Sequence, residues 1–270
     1  MKAKLLALTC LFLAAEAGAQ VKEGKVIYDR TTKLQIRIAG MNDQMANQIP
    51  QSRTDKFELS FANNQSLWKM AEQENNEPEE VHGGGGMQIR MVMAGSEDVL
   101  YTNIENGIKC EKRELFDKQF IVDDSIRPLK WKLTGETKTI LGHPCQGATS
   151  STISKRTMMN MDNGKMERKE ISDTSAIVAW FAADIPVSVG PAEYQGQLPG
   201  LILEMNIGDG RQLFQATAIE PKVDVAIIKA PTGKKHYTPE EFKKERDKML
   251  DEMQKNQGGG GPGSRTIRIN

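Results

Sequence analysis

The chain has 270 residues, 36 Lys and Arg against 36 Asp and Glu, three histidines and 38% hydrophobic residues. This balance gives no basic excess for a nucleic acid or an anionic membrane surface, and beyond the first twenty residues no stretch approaches the roughly 18 consecutive apolar residues of a membrane-spanning helix. A chain of this length buries roughly three quarters of its unfolded surface, so its core does not depend on a framework of disulfides.

Residues 1–19 read as an export signal. Lys2 and Lys4 precede an apolar run from Leu5 to Ala15, and Ala17, Gly18 and Ala19 form a small-residue cleavage pattern before Gln20. Lipid attachment at Cys10 is disfavoured, because the apolar run ahead of it is short. The expected location is the periplasm or the cell surface, without a transmembrane segment.

From Lys25 onward, short alternating or β-branched segments recur: Lys25–Tyr28, Leu34–Ile38, Lys56–Phe61, Ile89–Met93, Val99–Ile104, Phe120–Val122, Thr149–Ile153 and Leu213–Ile219. Asn63-Asn64, Asn106-Gly107, Asn163-Gly164 and Gly208-Asp209-Gly210 separate them, and such residues supply the positive φ angles of tight hairpin turns. A series of antiparallel hairpins is therefore expected. Between Glu72 and Gly86 the composition turns polar and acidic and ends in four glycines, which reads as a mobile loop.

The chain carries 14 methionines, clustered at Met87, Met91, Met93 and at Met158, Met159, Met161, Met166. Thioethers suit monovalent copper, and His82 lies near the first cluster. The same residues also fill an apolar sheet face, and packing is the favoured reading.

Cys110 and Cys145 are the cysteines beyond the leader, an even pair in an oxidising compartment, so a disulfide is the expectation and two buried thiols the alternative. His143 lies two residues from Cys145, a spacing that places both on one face of a strand. A Cys–His nucleophile is conceivable there, but oxidation of the thiol is the stronger expectation. No nucleophile elbow, phosphate loop, zinc-protease helix or dinucleotide fingerprint occurs, and Asp123-Asp124 and Glu79-Glu80 read as solvated surface.

The segment Ala179–Met205 is apolar and punctuated by Pro186, Pro191 and Pro199, with Gly190, Gly196 and Gly200 between or beside them. Its run Leu198, Pro199, Gly200, Leu201, Ile202 resembles the core of the motif that names the GLPGLI family, secreted proteins of Bacteroidetes-type bacteria, with Gln197 in place of the first glycine. Ala179, Trp180, Phe181 and the stretch Ile185–Pro191 fit the same family, as do Trp131–Ser151 with Gly142, His143 and Cys145. The resemblance implies no established activity. The residues themselves admit two readings: a strand–turn–strand corner that completes the sheet, or the mouth of an apolar groove. On the second, Trp180, Phe181 and Tyr194 supply contact surface, Pro199 and Gly200 shape the backbone, and Glu204 orients a ligand.

Thr238 and Pro239 open a helix with Glu240 and Glu241 in its first turn. It is expected over 238–256, with Phe242, Met249, Leu250 and Met253 on one weakly docking face. Gly258–Gly261 end it, and the tail Arg265–Asn270 alternates like a short edge strand or stays disordered. The expected organisation is a leader at 1–19, a β-rich domain at 20–237, the helix, and a glycine-rich linker with its tail at 257–270.

The expected fold is mainly β, a single curved antiparallel sheet or half-open barrel built from hairpins, with a C-terminal helix. The expected function is an exported, non-catalytic binding protein that holds an apolar ligand or an extended peptide on the concave sheet. Its partner would be an apolar small molecule or an envelope protein, and no catalytic residue or cofactor is assigned. The alternatives are copper handling by Met87, Met91, Met93 and His82, and a hydrolase with an unrecognised site.

Overall fold

The computed structural model describes residues 22–34, 50–72, 80–83, 87–93, 97–162, 165–257 and 267–269, with backbone alone at 80–83, 87–93, 154–162, 165–171, 253–257 and 267–269. The leader with Cys10, most of Leu34–Ile38, the Asn163-Gly164 turn and Gly258–Gly261 lie outside the described residues. So do the side chains of His82, Met87, Met91, Met93, Met158, Met159, Met161, Met166 and Met253.

The strands run in order β1 (Gly24–Lys33), β2 (Ser52–Ala62), β3 (Gln65–Met70), β4 (Glu80–Gly83), β5 (Met87–Met93), β6 (Val99–Asn103), β7 (Ile108–Leu115) and β8 (Lys118–Ser125). There follow β9 (Lys132–Ile140), β10 (His143–Asp162), β11 (Lys165–Ala182), β12 (Leu201–Ile207), β13 (Gln212–Glu220), β14 (His236–Tyr237), helix α1 (Pro239–Gln257) and β15 (Ile267–Ile269). Twelve strands form one sheet in the order β14-β8-β7-β6-β3-β2-β1-β13-β12-β11-β10-β9. Every pair is antiparallel except β14 with β8, and the sheet does not close. Within Glu72–Gly86, read from sequence as loop, β4 pairs with β5, and β15 lies parallel to β5.

Two-residue turns join three hairpins: Asn63-Asn64 (φ 51° and 57°), Phe116-Asp117 (50° and 60°) and Leu141-Gly142 (50° and 84°). Positive φ at both positions matches the right-handed twist of the flanking strands. Only the Asn pair announces itself in the sequence. Phe116 and Leu141 are bulky residues that rarely adopt such angles, so their turns are set by the pairing of the strands around them.

Strand pairing defines two faces. The inner face carries Tyr28, Phe57, Leu59, Phe61, Trp68, Phe181, Met205 and Phe214, all in the main core cluster. Residues 183–200, between β11 and β12, lie across this face and bury Ile185, Val189, Tyr194 and Leu198 in the same cluster. Two polar contacts pin the segment, Ser66 Oγ donating to Gln195 Oε1 (3.1 Å) and the Leu129 amide to Gln197 Oε1 (2.9 Å), and Tyr28 OH donates to the Ile202 carbonyl at the start of β12 (2.6 Å). Gln195, only 1% exposed, also donates to the Gly190 and Ala192 carbonyls, so its buried amide is satisfied.

The outer face holds a smaller cluster of Ala62, Leu67, Tyr101, Cys110 and Ile121, covered by Val223 and Ile228 from the segment after β13. The chain then adds β14 at the sheet edge and crosses to the inner side, where Phe242 of α1 meets Phe120 edge-on at 5.3 Å. A reciprocal capping box starts the helix: the Glu241 amide donates to Thr238 Oγ1 (3.2 Å) and the Thr238 amide to Glu241 Oε2 (2.8 Å).

The disulfide expected between Cys110 and Cys145 is not formed; both are free and buried. Cys110 belongs to the outer cluster on β7 and Cys145 to the main core on β10, with seven strands between them in the sheet. Each thiol fills apolar space as a small hydrophobic residue does.

Candidate functional site

A cleft of about 600 Å³ opens on the inner face beside the crossing segment, a volume in the usual range for small-ligand sites. Its floor is apolar: Phe57 and Trp68 stack at 4.9 Å with their rings 6° apart, and Leu100, Leu115 and Phe242 continue the surface. Alternation places these residues here, because cross-strand partners in an antiparallel pair share a face and Trp68 pairs with Leu100. Helix α1 closes one side with Phe242 and Arg246, and the crossing segment contributes Ala192 and Glu193.

Above the floor stand four bases, Arg30, Lys109, Arg113 and Arg246, and four acids, Asp98, Glu111, Glu114 and Glu193. Each base has a carboxylate at hand: Arg113 with Glu111 (2.7 Å), Lys109 with Asp124 (3.4 Å), Arg246 with Asp247 (3.1 Å) and Arg30 with Asp55 (3.5 Å). The Arg30 guanidinium also lies 4.4 Å over the Phe57 ring, a cation–π contact. Among the described residues, Asp98, Glu114 and Glu193 form no such pair. Asp55 and Asp124 are shared with Arg53 (2.7 Å) and Arg127 (3.1 Å), so the charges around the cleft nearly balance, and these three carboxylates are the ones left without an ion pair.

Burial pushes the Asp98 carboxyl above its ordinary range, although the Glu114 amide donates to it at 2.7 Å. Glu193 is raised for the same first reason, against the pull of Lys109 and Arg113. Its surface is open to the cleft while protein crowds its other sides, so the carboxylate is less well solvated than on a free surface. No Ser, Thr, Cys or His is among the described residues lining the cleft, and its polar groups are the carboxylates and bases named above.

The six residues singled out from the sequence do not converge. Phe181 (1% exposed) and Tyr194 (6%) are core, and Gly200 is buried where an added Cβ would strike the Ala182 carbonyl. Pro199 is exposed. Trp180 and Glu204 are cross-strand partners on the outer face, joined by Lys138, whose Nζ lies 4.4 Å from the indole centroid and 2.7 Å from Glu204 Oε1. His143 pairs with Asp184 at 2.8 Å, while the Cys145 thiol turns to the His143 carbonyl at 3.5 Å. The cleft residues were missed because six elements and two connecting segments supply them; Glu193, between Pro191 and Tyr194, had no signal beyond being an acid in an apolar segment.

Away from the cleft, one trio of metal-ligating types comes together among the described residues: Cys110, Asp123 and His236, with ligand atoms within 4.8 Å of one another. Burial first, then Asp123, pushes the Cys110 thiol up to about 12.

Residues 131–204 match the family model described as "Protein of unknown function (Porph_ging)", a span from the start of β9 into β12 that includes the segment crossing the inner face. No curated protein matches the chain. Among solved structures it is similar to one described as "Structure of PNGF-II in P21 space group", at 14% identity and a TM-score of 0.48, covering 83% of this chain and 32% of that one. The chain thus spans about a third of that structure's length.

Proposed function

We propose that this chain, whose residues 131–204 belong to the Porph_ging family, commonly named GLPGLI and of unknown function, is a non-catalytic binding protein for an extended peptide. The observation that carries the reading is the set of three carboxylates with no ion pair of their own, Asp98, Glu114 and Glu193, above the Phe57–Trp68 floor. A basic side chain set among them meets carboxylates that no ion pair engages, and apolar side chains cover the floor. The paired bases and acids around the rim match the mixed polarity of a peptide better than that of a purely apolar ligand. The leader-like residues 1–19 support action outside the cytoplasm.

Titration of short extended peptides of basic, neutral and acidic composition, followed by tryptophan fluorescence, tests this. Basic peptides should bind and perturb emission, Trp68→Phe should remove the signal, and Glu193→Gln with Asp98→Asn should weaken binding at least about tenfold, the worth of one desolvated charge pair. Binding that ignores peptide charge, or no binding by any of the three classes, would overturn the proposal.

A further inference from the structure

We infer that Cys110, Asp123 and His236 form a zinc site on the outer face of the sheet, where the segment leading to α1 is tied down. Three strands build it. Cys110 of β7 and Asp123 of β8 are direct cross-strand partners, so their side chains leave the same face. β14 runs parallel to β8 with His236 opposite Ile121, which brings its ring beside Asp123. His236 Nδ1 lies 2.7 Å from Asp123 Oδ2, and one ligand atom from each of the three residues falls within 4.8 Å of the others.

The donor set selects the metal. One thiol sulfur, one imidazole nitrogen and one carboxylate oxygen are the ligand types of zinc, whereas calcium and magnesium take oxygen alone. Zinc bonds of about 2.0–2.3 Å bring such atoms somewhat closer than they stand, to less than about 4.5 Å apart. The side chains that must move are the free ones: Asp123 and His236 are 53% and 46% exposed, while Cys110 is fixed beneath them at 6%. The same exposure gives the ion a way in and leaves its fourth position to water. Binding sends the Cys110 thiol proton to solvent, the ion replaces the hydrogen bond between His236 and Asp123, and thiolate and carboxylate together balance its two charges.

The site also has a mechanical place. β14 is two residues long, and its short ladder holds the end of the segment that covers the outer cluster. A metal bridging β7, β8 and β14 would cross-link this segment to the sheet at that weak point. The site is independent of the peptide cleft, which lies on the other face.

Metal-free, reduced full-length protein titrated with zinc against a chelating indicator, and with cobalt(II) as a spectroscopic stand-in, gives the test. One zinc per chain should bind at micromolar affinity or better, and His236→Gln and Asp123→Asn should each weaken it at least tenfold while circular dichroism stays unchanged. Cobalt should show a near-ultraviolet thiolate band that survives Cys145→Ser and is lost in Cys110→Ser. Should Cys110→Ser fail to fold, the His236→Gln titration and the survival of the band in Cys145→Ser decide alone. No binding at micromolar zinc, binding indifferent to His236→Gln, or a band that follows Cys145 would overturn the inference.

Discussion

The two ends of the sheet treat their inner faces differently. Toward β11, β12 and β13 the face is filled by the chain itself: residues 183–200 cross it, their apolar side chains join the main core, and their few polar groups find partners. From β6 to β8 the same face is only partly covered by α1, and it keeps charged side chains beside the Phe57–Trp68 floor of β2 and β3. One end secures the fold by burial, while the other carries groups that burial penalises, and such a cost is retained at sites where it serves recognition. The segment that carries the family's motif stands on the stabilising side of this division.

Substitutions on opposite sides of it should differ in size and in sign. Phe181→Ala, in the filled end, removes a ring that is 1% exposed and should cost about 3–5 kcal/mol in urea unfolding. A loss below about 1 kcal/mol would mean that this end tolerates voids as the cleft does. Gly200→Val should cost about 1–3 kcal/mol or more, because its side chain meets the Ala182 backbone, which cannot swing aside. An unchanged melting temperature would remove close backbone approach as the reason for that glycine.

At the open end, Thr238→Ala breaks the capping box and should cost about 1 kcal/mol, seen as faster hydrogen exchange in the first turn of α1. Glu193→Gln should change stability least and in the favourable direction. The folded-state carboxyl of Glu193 is raised by burial, so between the unfolded and folded values the folded protein holds more protons, and stability falls as pH rises through that window. The melting temperature of Glu193→Gln should therefore exceed the parent's at neutral pH, with the gap shrinking as pH falls toward about 4.3, the ordinary glutamate value. Equal melting temperatures across that range would show that Glu193 is solvated normally and that the two ends differ less than their charges suggest.

Much of the fold was legible locally. Asn63-Asn64 and Gly208-Asp209-Gly210 do mark turns, alternation does mark strands, and Thr238 with Glu241 does start the helix. The turns at Phe116-Asp117 and Leu141-Gly142 were hidden, since pairing overrides the preference of the residue. The candidate site was hardly legible. Arg30, Asp98, Glu193 and Arg246 are far apart in the chain, and no period or spacing relates them. Cys110 and His236 meet only because β14 pairs in parallel with β8, a register that neither segment announces. The expected disulfide failed for a related reason: an even count of cysteines carries no information about which part of a twelve-strand sheet each will occupy.

A sheet that does not close leaves two rows of backbone donors and acceptors exposed to any passing extended chain. At one edge β14 covers only Ile121 and Val122 of β8, and the rest of that strand stays at the edge. The other, β9, is nearly all exposed but slips register against β10 between Gln146 and Ala148, where Gly135 takes φ 79°, and it carries Lys132, Glu136 and Lys138. The bulge puts the edge out of step with any straight strand, and the charges would have to be stripped of water for one to approach. The bulge and charges of β9 thus discourage indiscriminate strand addition along that stretch of edge, on a molecule that also presents an open cleft.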